Sequence, residues 1–466
     1  MPLSRRDFLR YSIASSVAGA SLMGLPNSIT AHAASPESYK ALVCVFLFGG
    51  VDGHDLLLPY DLPSYNGFAN IRQSLLNRYQ GARDRENLLQ LTPNNSAQFG
   101  SRTFALVPEM PMIKSMFDLG RASIVSNVGP LIEPVSAQSF ANGSVNIPPR
   151  LFSHNDQQSI WQASAPEGAQ FGWGGLFADA MLAAGENANI GDFATLSTAG
   201  VGPFLTGKSV SPYQISLAGT AGITALQQTN SVNNDFRGFL DAARQRFLSE
   251  GFTGTNILAR DIASKFKNGI EANEVFDTAR ASASLLTTEF PTSGLGSQLK
   301  TVAETISIRD SLSATRQIFF VGLGGFDTHS NQAADLPILL SQLDSALGAF
   351  DLAMSELGLS QNVTTFTASD FGRTLTVNGD GTDHGWGGNQ IVMGGAVRGN
   401  NIIGEVPPPL LGHDLDVGNG RVAPTISVEQ YAASLGRWWG LNDTEIMNAL
   451  PNLKNFDSTD LALFHA

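Results

Sequence analysis

Three stretches of the chain share one pattern, an apolar run that ends in glycine and then in an acidic residue. Ala41–Phe48 reads Ala-Leu-Val-Cys-Val-Phe-Leu-Phe without polar alternation, which predicts a strand buried on both faces. It empties into Gly49-Gly50-Val51-Asp52-Gly53-His54-Asp55. Gln317–Leu323 repeats the design and ends in Gly324-Gly325-Phe326-Asp327-Thr328-His329. Val363–Thr367 alternates and is β-branched, so Asp370 stands just past a strand's C-terminal end, followed by Phe371-Gly372-Arg373. A glycine-rich loop then delivers Asp383 and His384. Exits of this kind are where α/β sheets keep their chemistry.

Between these strands the periodicity is mixed. Met110–Leu119 reads as a helix stopped by Gly120, and Ala122–Asn127 as a second parallel strand, giving a β-α-β unit. The polar stretch from Tyr60 to about Thr103 predicts loop with short helices. Phe171–Ala184 resembles a helix and Asp192–Lys208 a pair of strands. Phe236–Phe247, Asn256–Leu286 and Leu299–Ser313 are amphipathic helical patterns, so about 232–313 forms a mainly helical layer or insertion. Asp335–Leu357 predicts a long helix, Gln390–Ala396 a strand and Val428–Trp439 a C-terminal helix. Alternating strands and helices give an α/β fold with a mostly parallel central sheet.

The first residues change the picture of where the protein works. Ser4-Arg5-Arg6-Asp7-Phe8-Leu9 is a twin-arginine export motif, Tyr11–Leu25 is a mild apolar run, and Ala31-His32-Ala33 is an A-x-A cleavage site. Residues 1–33 therefore read as a signal peptide and 34–466 as the mature domain, exported already folded by the twin-arginine translocase to the periplasm or beyond, with no stable membrane span after processing. Loss of Arg5, Arg6, Arg10 and Asp7 takes the formal charge from −13 to −15. An acidic chain of this kind disfavours nucleic acid and anionic membrane as partners. The single cysteine, Cys44, lies inside the first apolar strand and permits no intramolecular disulfide.

If the three strands are neighbours, Asp52, Asp327 and Asp370 converge, and carboxylates brought together repel unless a cation or a proton compensates them. A metal ion is the simplest compensation. His329 lies two residues from Asp327 in an extended segment and points to the same side, and His384 follows Asp383. His54, His154 and Asp383 are further candidates for the same ion. Ser153 begins a helical pattern with Asp156 three residues on, as an N-cap does, and a hydroxyl at a helix N-terminus also sits where an anion binds. Arg373 either neutralises charge developing on a substrate or pairs with a carboxylate. Asp414-Leu-Asp416-Val-Gly-Asn-Gly lacks the terminal glutamate of a calcium loop and reads as a solvated turn. There is no G-x-S-x-G, H-E-x-x-H, C-x-x-C or dinucleotide fingerprint.

Together, Gly49-Gly-Val-Asp52-Gly, Leu151-Phe-Ser153-His154, Gly325-Phe-Asp327-Thr-His329, Ser369-Asp370-Phe-Gly-Arg373-Thr, Gly381-Thr-Asp383-His384-Gly and Gly420-Arg-Val-Ala-Pro424-Thr425 resemble a bacterial exported family known only as domain of unknown function 1501. That family is similar in fold to the alkaline phosphatase and sulfatase superfamily. The resemblance implies a three-layer α/β/α sandwich holding divalent metal at the ends of its sheet and displacing phosphate or sulfate esters. It implies that Asp52 and Asp370 serve one metal site, that Asp327, His329 and His384 serve another, and that Ser153 stands near the nucleophile's place. Two features depart from the superfamily: Phe371 follows Asp370 where a histidine is usual, and the Asp327-to-His329 spacing is short.

The expectation is thus an exported metal-dependent hydrolase acting on a small anionic ester. Its metal would be held by Asp52, Asp327, His329, Asp370 and His384, with zinc or manganese favoured over magnesium or calcium by the mixed Asp/His set. The alternative is a non-catalytic binding or surface-assembly protein on a degenerate hydrolase fold.

Overall fold

Lys40–Phe48 forms the central strand, and its side chains divide between two cores. Ala41, Val43, Val45 and Leu47 enter one cluster, while Leu42, Cys44 and Phe46 enter another. A strand apolar on both faces has to be covered on both, and the fold follows from that requirement. The computed structural model describes residues 39–187, 191–216, 219–220 and 257–465. The predicted signal peptide and the Phe236–Phe247 helix lie outside the described residues.

In chain order the strands are β1 (Lys40–Phe48), β2 (Leu57–Pro59), β3 (Leu89–Gln90), β4 (Phe104–Leu106), β5 (Ala122–Gly129), β6 (Thr195–Ser197), β7 (Tyr213–Ser216), β8 (Gly219–Thr220), β9 (Arg316–Gly324), β10 (Val363–Ser369), β11 (Gly388–Met393), β12 (Ile402–Ile403) and β13 (Ile426–Ser427). The helices are α1 (Leu62–Leu76), α2 (Pro111–Asp118), α3 (Ala137–Asn142), α4 (His154–Ala163), α5 (Trp173–Ala183), α6 (Ile257–Ala281), α7 (Gly294–Ser307), α8 (Gln332–Glu356), α9 (Val428–Trp439) and α10 (Asp443–Ala449).

The main sheet runs β12-β5-β11-β10-β1-β9-β6-β7-β8, with β13 also paired to β5, and β2, β3 and β4 form a small separate sheet. β10, β1, β9, β6 and β7 are mutually parallel, whereas β11 is antiparallel to both its neighbours and β8 to β7. One face is covered by α2, α7 and α8, with Phe276 of α6 joining them, and the other by α4, α5, α9 and α10. This is a three-layer α/β/α arrangement with a mostly parallel sheet. Register sets the functional edge: Leu47 is level with Ser369 and Leu323, and Phe48 with Gly324, so the exits of β1, β9 and β10 leave side by side.

The predicted strands and the helix Val428–Trp439 fall on observed elements, with three informative differences. The strand at Ala122–Asn127 is β5, which runs in the same direction as β1 but is separated from it by β10 and β11. Asp192–Lys208 gives only one strand, β6, and the partner strand is β7. The stretch read as loop with short helices contains a longer one, the 15-residue α1, capped by Asp61, whose carboxylate accepts from Ser64 N. The inward stripe of α1 is Phe68, Arg72 and Leu75, so its central buried position is a charge and the apolar periodicity is broken there.

Arg72 is buried because Asp52 is. Its Nη1 lies 2.6 Å from Asp52 Oδ2 and its Nη2 3.1 Å from Asp52 Oδ1. Nε and Nη2 also donate to the carbonyls of Leu375 and Thr374 at 3.0 and 2.7 Å. Gln332 Nε2 donates to Asp52 Oδ2 at 2.6 Å, and His54 N to Oδ1 at 3.1 Å. Burial opposes the ionised form of Asp52, but the Arg72 guanidinium outweighs it and holds the carboxyl below its usual range. Replacing Arg72 by Met should therefore strand a buried carboxylate and cost about 3–5 kcal/mol. The loss is to be read from the urea unfolding midpoint, and a second change, Asp52→Asn, should recover a large part of it. A cost under about 1 kcal/mol would mean that something other than Arg72 compensates Asp52.

Candidate metal centre

The loops at this edge approach one another closely because glycine lets them. Gly49 has φ 114°, and a Cβ there would lie 2.4 Å from Asp327 N, so the exit of β1 rests directly on the backbone of the β9 exit. Phe326 N donates to Phe48 O at 3.1 Å and fixes the same junction. Beyond β10, Gly372 N bonds Trp386 O at 2.9 Å and Gly385 N bonds Gly372 O at 2.7 Å. This short antiparallel ladder, with Arg373 opposite His384, folds the glycine-rich loop back toward Asp327.

Three side chains from three elements meet there. His154 is the first residue of α4, Asp327 follows β9, and His384 sits on the returning loop, with one ligand atom of each lying within 4.8 Å of the others. His384 Nδ1 lies 2.8 Å from the carbonyl of Phe152, which can only accept, so Nδ1 carries the proton. Its Nε2 lone pair is left facing Asp327 Oδ1 at 3.2 Å. His154 is arranged in the same sense, with Nδ1 2.6 Å from Asp370 Oδ2 and Nε2 3.5 Å from Asp327 Oδ2. His329 lies beside them, its Nε2 2.8 Å from His384 Nε2 and 3.1 Å from Asp327 Oδ1. Asp383 Oδ1 is 3.3 Å from the other nitrogen of His329 and is tied to Asn378 Nδ2 at 2.7 Å. Two imidazoles anchored through one nitrogen, with the other nitrogen converging on a carboxylate, are a donor set that fits a divalent cation.

The charges are unequal. The hydrogen bond to Asp370 raises the pKa of His154 against the opposing effect of burial. Burial, together with the nearby Arg373 guanidinium, lowers that of His384 despite its bond to Phe152. Burial works against the Asp327 carboxylate, but Arg373 and the neighbouring imidazoles hold its pKa below the usual range. Phe371 packs on both imidazoles, with centroids 4.9 Å from His154 and 4.5 Å from His384, and closes one side of the cluster.

The structure thus brings together Asp327 and His384 with His154, and sets His329 and Asp383 alongside. It does not gather the carboxylates as expected. Asp52 is saturated by Arg72, Gln332 and the backbone of His54, so none of its lone pairs is left for a cation. Asp370 touches the cluster through His154, its remaining contacts being Gly49 N at 3.2 Å and Gln158 Nε2 at 2.9 Å. His54 is kept neutral by burial and by Arg72, which lower its pKa to about 4, and it lines a separate cavity with Leu57, Phe68 and Asn127.

Ser153 is the N-cap of α4, but its hydroxyl donates to Asp156 Oδ2 at 2.9 Å rather than capping the backbone. Arg373 is 1% exposed, and its donors are spent on the carbonyls of Gly49, Gly50, Phe326 and Thr382 and on Asp327 Oδ1 at 2.6 Å. It pairs with the carboxylate and does not face solvent. The turn at Asp416 is closed by the amides of Gly412, Gly418 and Gly420, which fill the carboxylate.

Sequence reasoning missed Arg72 and gave no role to Arg421. The only signal for Arg421 was its place in the Gly420-Arg-Val-Ala-Pro stretch. Its Nε donates to the carbonyl of His384 at 3.0 Å, and its guanidinium lies 5.1 Å from the Phe152 ring centroid.

No curated protein matches the sequence. Among solved structures, the chain is similar to the PsFucS1 sulfatase from Pseudoalteromonas sp., at 10% identity and TM-score 0.36, over 92% of this chain and 73% of that one. It is also similar to the lipoteichoic acid synthase LtaP from Listeria monocytogenes, at 8% identity and TM-score 0.32, over 90% and 79% of the two chains. A variant of the alkaline phosphatase PafA aligns over 72% of this chain and 63% of that one, at 11% identity and TM-score 0.25. The family model described as protein of unknown function DUF1501 matches residues 39–454, and on that match the chain belongs to the DUF1501 family.

Proposed function

We propose that the protein is a metal-dependent hydrolase of a phosphate or sulfate ester, working in the periplasm or outside the cell after twin-arginine export. The observation that carries this reading is the convergence of His154, Asp327 and His384, with the far nitrogen of each imidazole already hydrogen-bonded. His154 and His384 would hold the cation through Nε2 and Asp327 through its carboxylate, and His329 is close enough to complete the set. Two or three imidazoles with one carboxylate suit zinc or manganese better than an all-oxygen cation. A cation bound there would supply Lewis acidity to the ester and to an attacking water.

The protein's own residues do the rest. Asp370 fixes the orientation and tautomer of His154, the Phe152 carbonyl does the same for His384, and Arg373 holds Asp327 in place. The Ser153 hydroxyl is bonded to Asp156 and is not among the side chains that converge, so this reading assigns the attack to water. The Ser4-Arg5-Arg6 motif supports export, and no helix among the described residues is long and apolar enough to cross a membrane.

A second reading, an exported binding protein without turnover, is favoured by one specific observation. Asp52 and Asp370 are compensated by Arg72 and by His154 with Gln158, so the ligands remaining suffice for a single ion.

Metal analysis of the purified protein, with assays on aryl phosphates and aryl sulfates, decides between the two. The hydrolase reading expects about one metal per chain and turnover lost on chelation, as at a single catalytic site with an open position. Metal without turnover favours the binding protein, and absence of both ends the hydrolase. Asp370→Asn should weaken metal affinity by about 10–100-fold through the freed His154 ring. Ser153→Ala should leave turnover close to that of the unaltered protein, and its abolition would return Ser153 to the nucleophile's role.

A further inference from the structure

We infer that Arg421 binds the tetrahedral oxyanion, phosphate or sulfate, at this centre. The inference rests on reading the His154, Asp327 and His384 cluster as the place where an ester anion is handled, and it assigns the positive group that such an anion requires. The chain carries a formal charge of −13, so an anion reaches the centre only against a repulsive background unless a local cation offsets it.

Arg373 was the expected candidate, and its guanidinium is consumed by four carbonyls and Asp327. Arg421 differs in the property that matters. Its Nε is anchored to the His384 carbonyl and its guanidinium carbon lies 5.1 Å from the ring centroid of Phe152, whose own carbonyl holds His384 Nδ1. Its Nη1 and Nη2 make no hydrogen bond or ion pair to any described residue, and it is only partly buried. One guanidinium edge is thus immobilised against two residues that shape the centre, while the remaining donors stay available.

That is the arrangement a planar fork needs to bind two oxygens of a tetrahedral anion, because the cost of ordering the side chain has already been met. A lysine at the same position could supply the charge but not a rigid planar pair of donors. Both terminal nitrogens of Arg421 would donate, and the anion oxygens would accept, with no bond made or broken by the residue.

The test is calorimetric titration of inorganic phosphate, and in a parallel arm of inorganic sulfate, into the zinc-loaded and the zinc-free protein. The unaltered chain is compared with Arg421→Ala and Arg421→Lys. The expected result is that Arg421→Ala weakens the preferred anion by about tenfold or more, as loss of a charge-assisted contact does. Zinc stoichiometry and the urea midpoint should be unchanged, and Arg421→Lys should restore part of the affinity. Preference for phosphate or for sulfate then identifies the ester class. Equal anion affinity in all three proteins, no anion binding by the unaltered chain, or loss of zinc together with the anion would overturn the assignment, the last by showing that Arg421 only props His384. Failure of the hydrolase reading shows up separately, as anion binding that depends on Arg421 without turnover of any aryl ester.

Discussion

The buried guanidinium of Arg373 is the interaction on which this edge of the sheet depends. An isolated charge taken out of water carries a penalty of several kcal/mol, and burial correspondingly lowers the pKa of Arg373. The surroundings repay it with four carbonyl oxygens and one carboxylate, drawn from the exit of β1, the exit of β9 and the returning glycine loop. Because the acceptors come from three separate loops, satisfying the charge forces the loops together. Glycine at positions 49 and 372 then removes the side chains that would keep them apart, since a Cβ at Gly372 would lie 2.0 Å from Gly387 O.

The same accounting explains which carboxylates remain for chemistry. Each of the three strand-exit aspartates has its charge compensated, but by different means. Asp52 has a full bidentate arginine, Asp370 has an imidazole and an amide, and Asp327 shares the occupied Arg373 with three imidazoles. Only Asp327 is still half exposed, and only around it do ring nitrogens converge with their lone pairs inward. The electrostatic premise, that gathered acids need a positive partner, holds for all three. What the premise left open was that the protein itself would supply a partner to each of them, fully for Asp52 and only in part for the half-exposed Asp327.

The strands were legible because burial on both faces leaves little freedom of composition: β1, β9 and β10 are nearly uninterrupted apolar or β-branched runs, and their glycine exits mark where each stops. Helix α9 was equally plain, with its N-cap Ser427 and glycine stop. Less visible were features whose cause lies far away in sequence. α1 carries Arg72 in its buried stripe because Asp52, on a different element, requires it. The neighbour relations of β5 depend on β11, which arrives more than 250 residues later. At the site, Asp327 and His384 were readable from local motifs, whereas the choice of His154 over His54 was not. Both histidines lie beside a possible ligand motif, and what separates them is that one is presented by α4 to Asp370 and Asp327, while the other lines a separate cavity under the influence of Arg72.

Phe371 stands where the resemblance led to the expectation of a histidine. In the structure the phenyl ring instead packs against His154 and His384, and His154 brings an imidazole to the cluster from the N-terminus of α4. That origin has a consequence for protonation. The positive end of a helix favours a neutral imidazole, while the hydrogen bond to Asp370 favours a charged one. His154 is therefore held between two opposing fields, and a cation arriving at Nε2 would act in the same direction as the helix. The carboxylate that raises the proton affinity of this ring in the free protein is also the group that would strengthen it as a ligand once the proton is displaced.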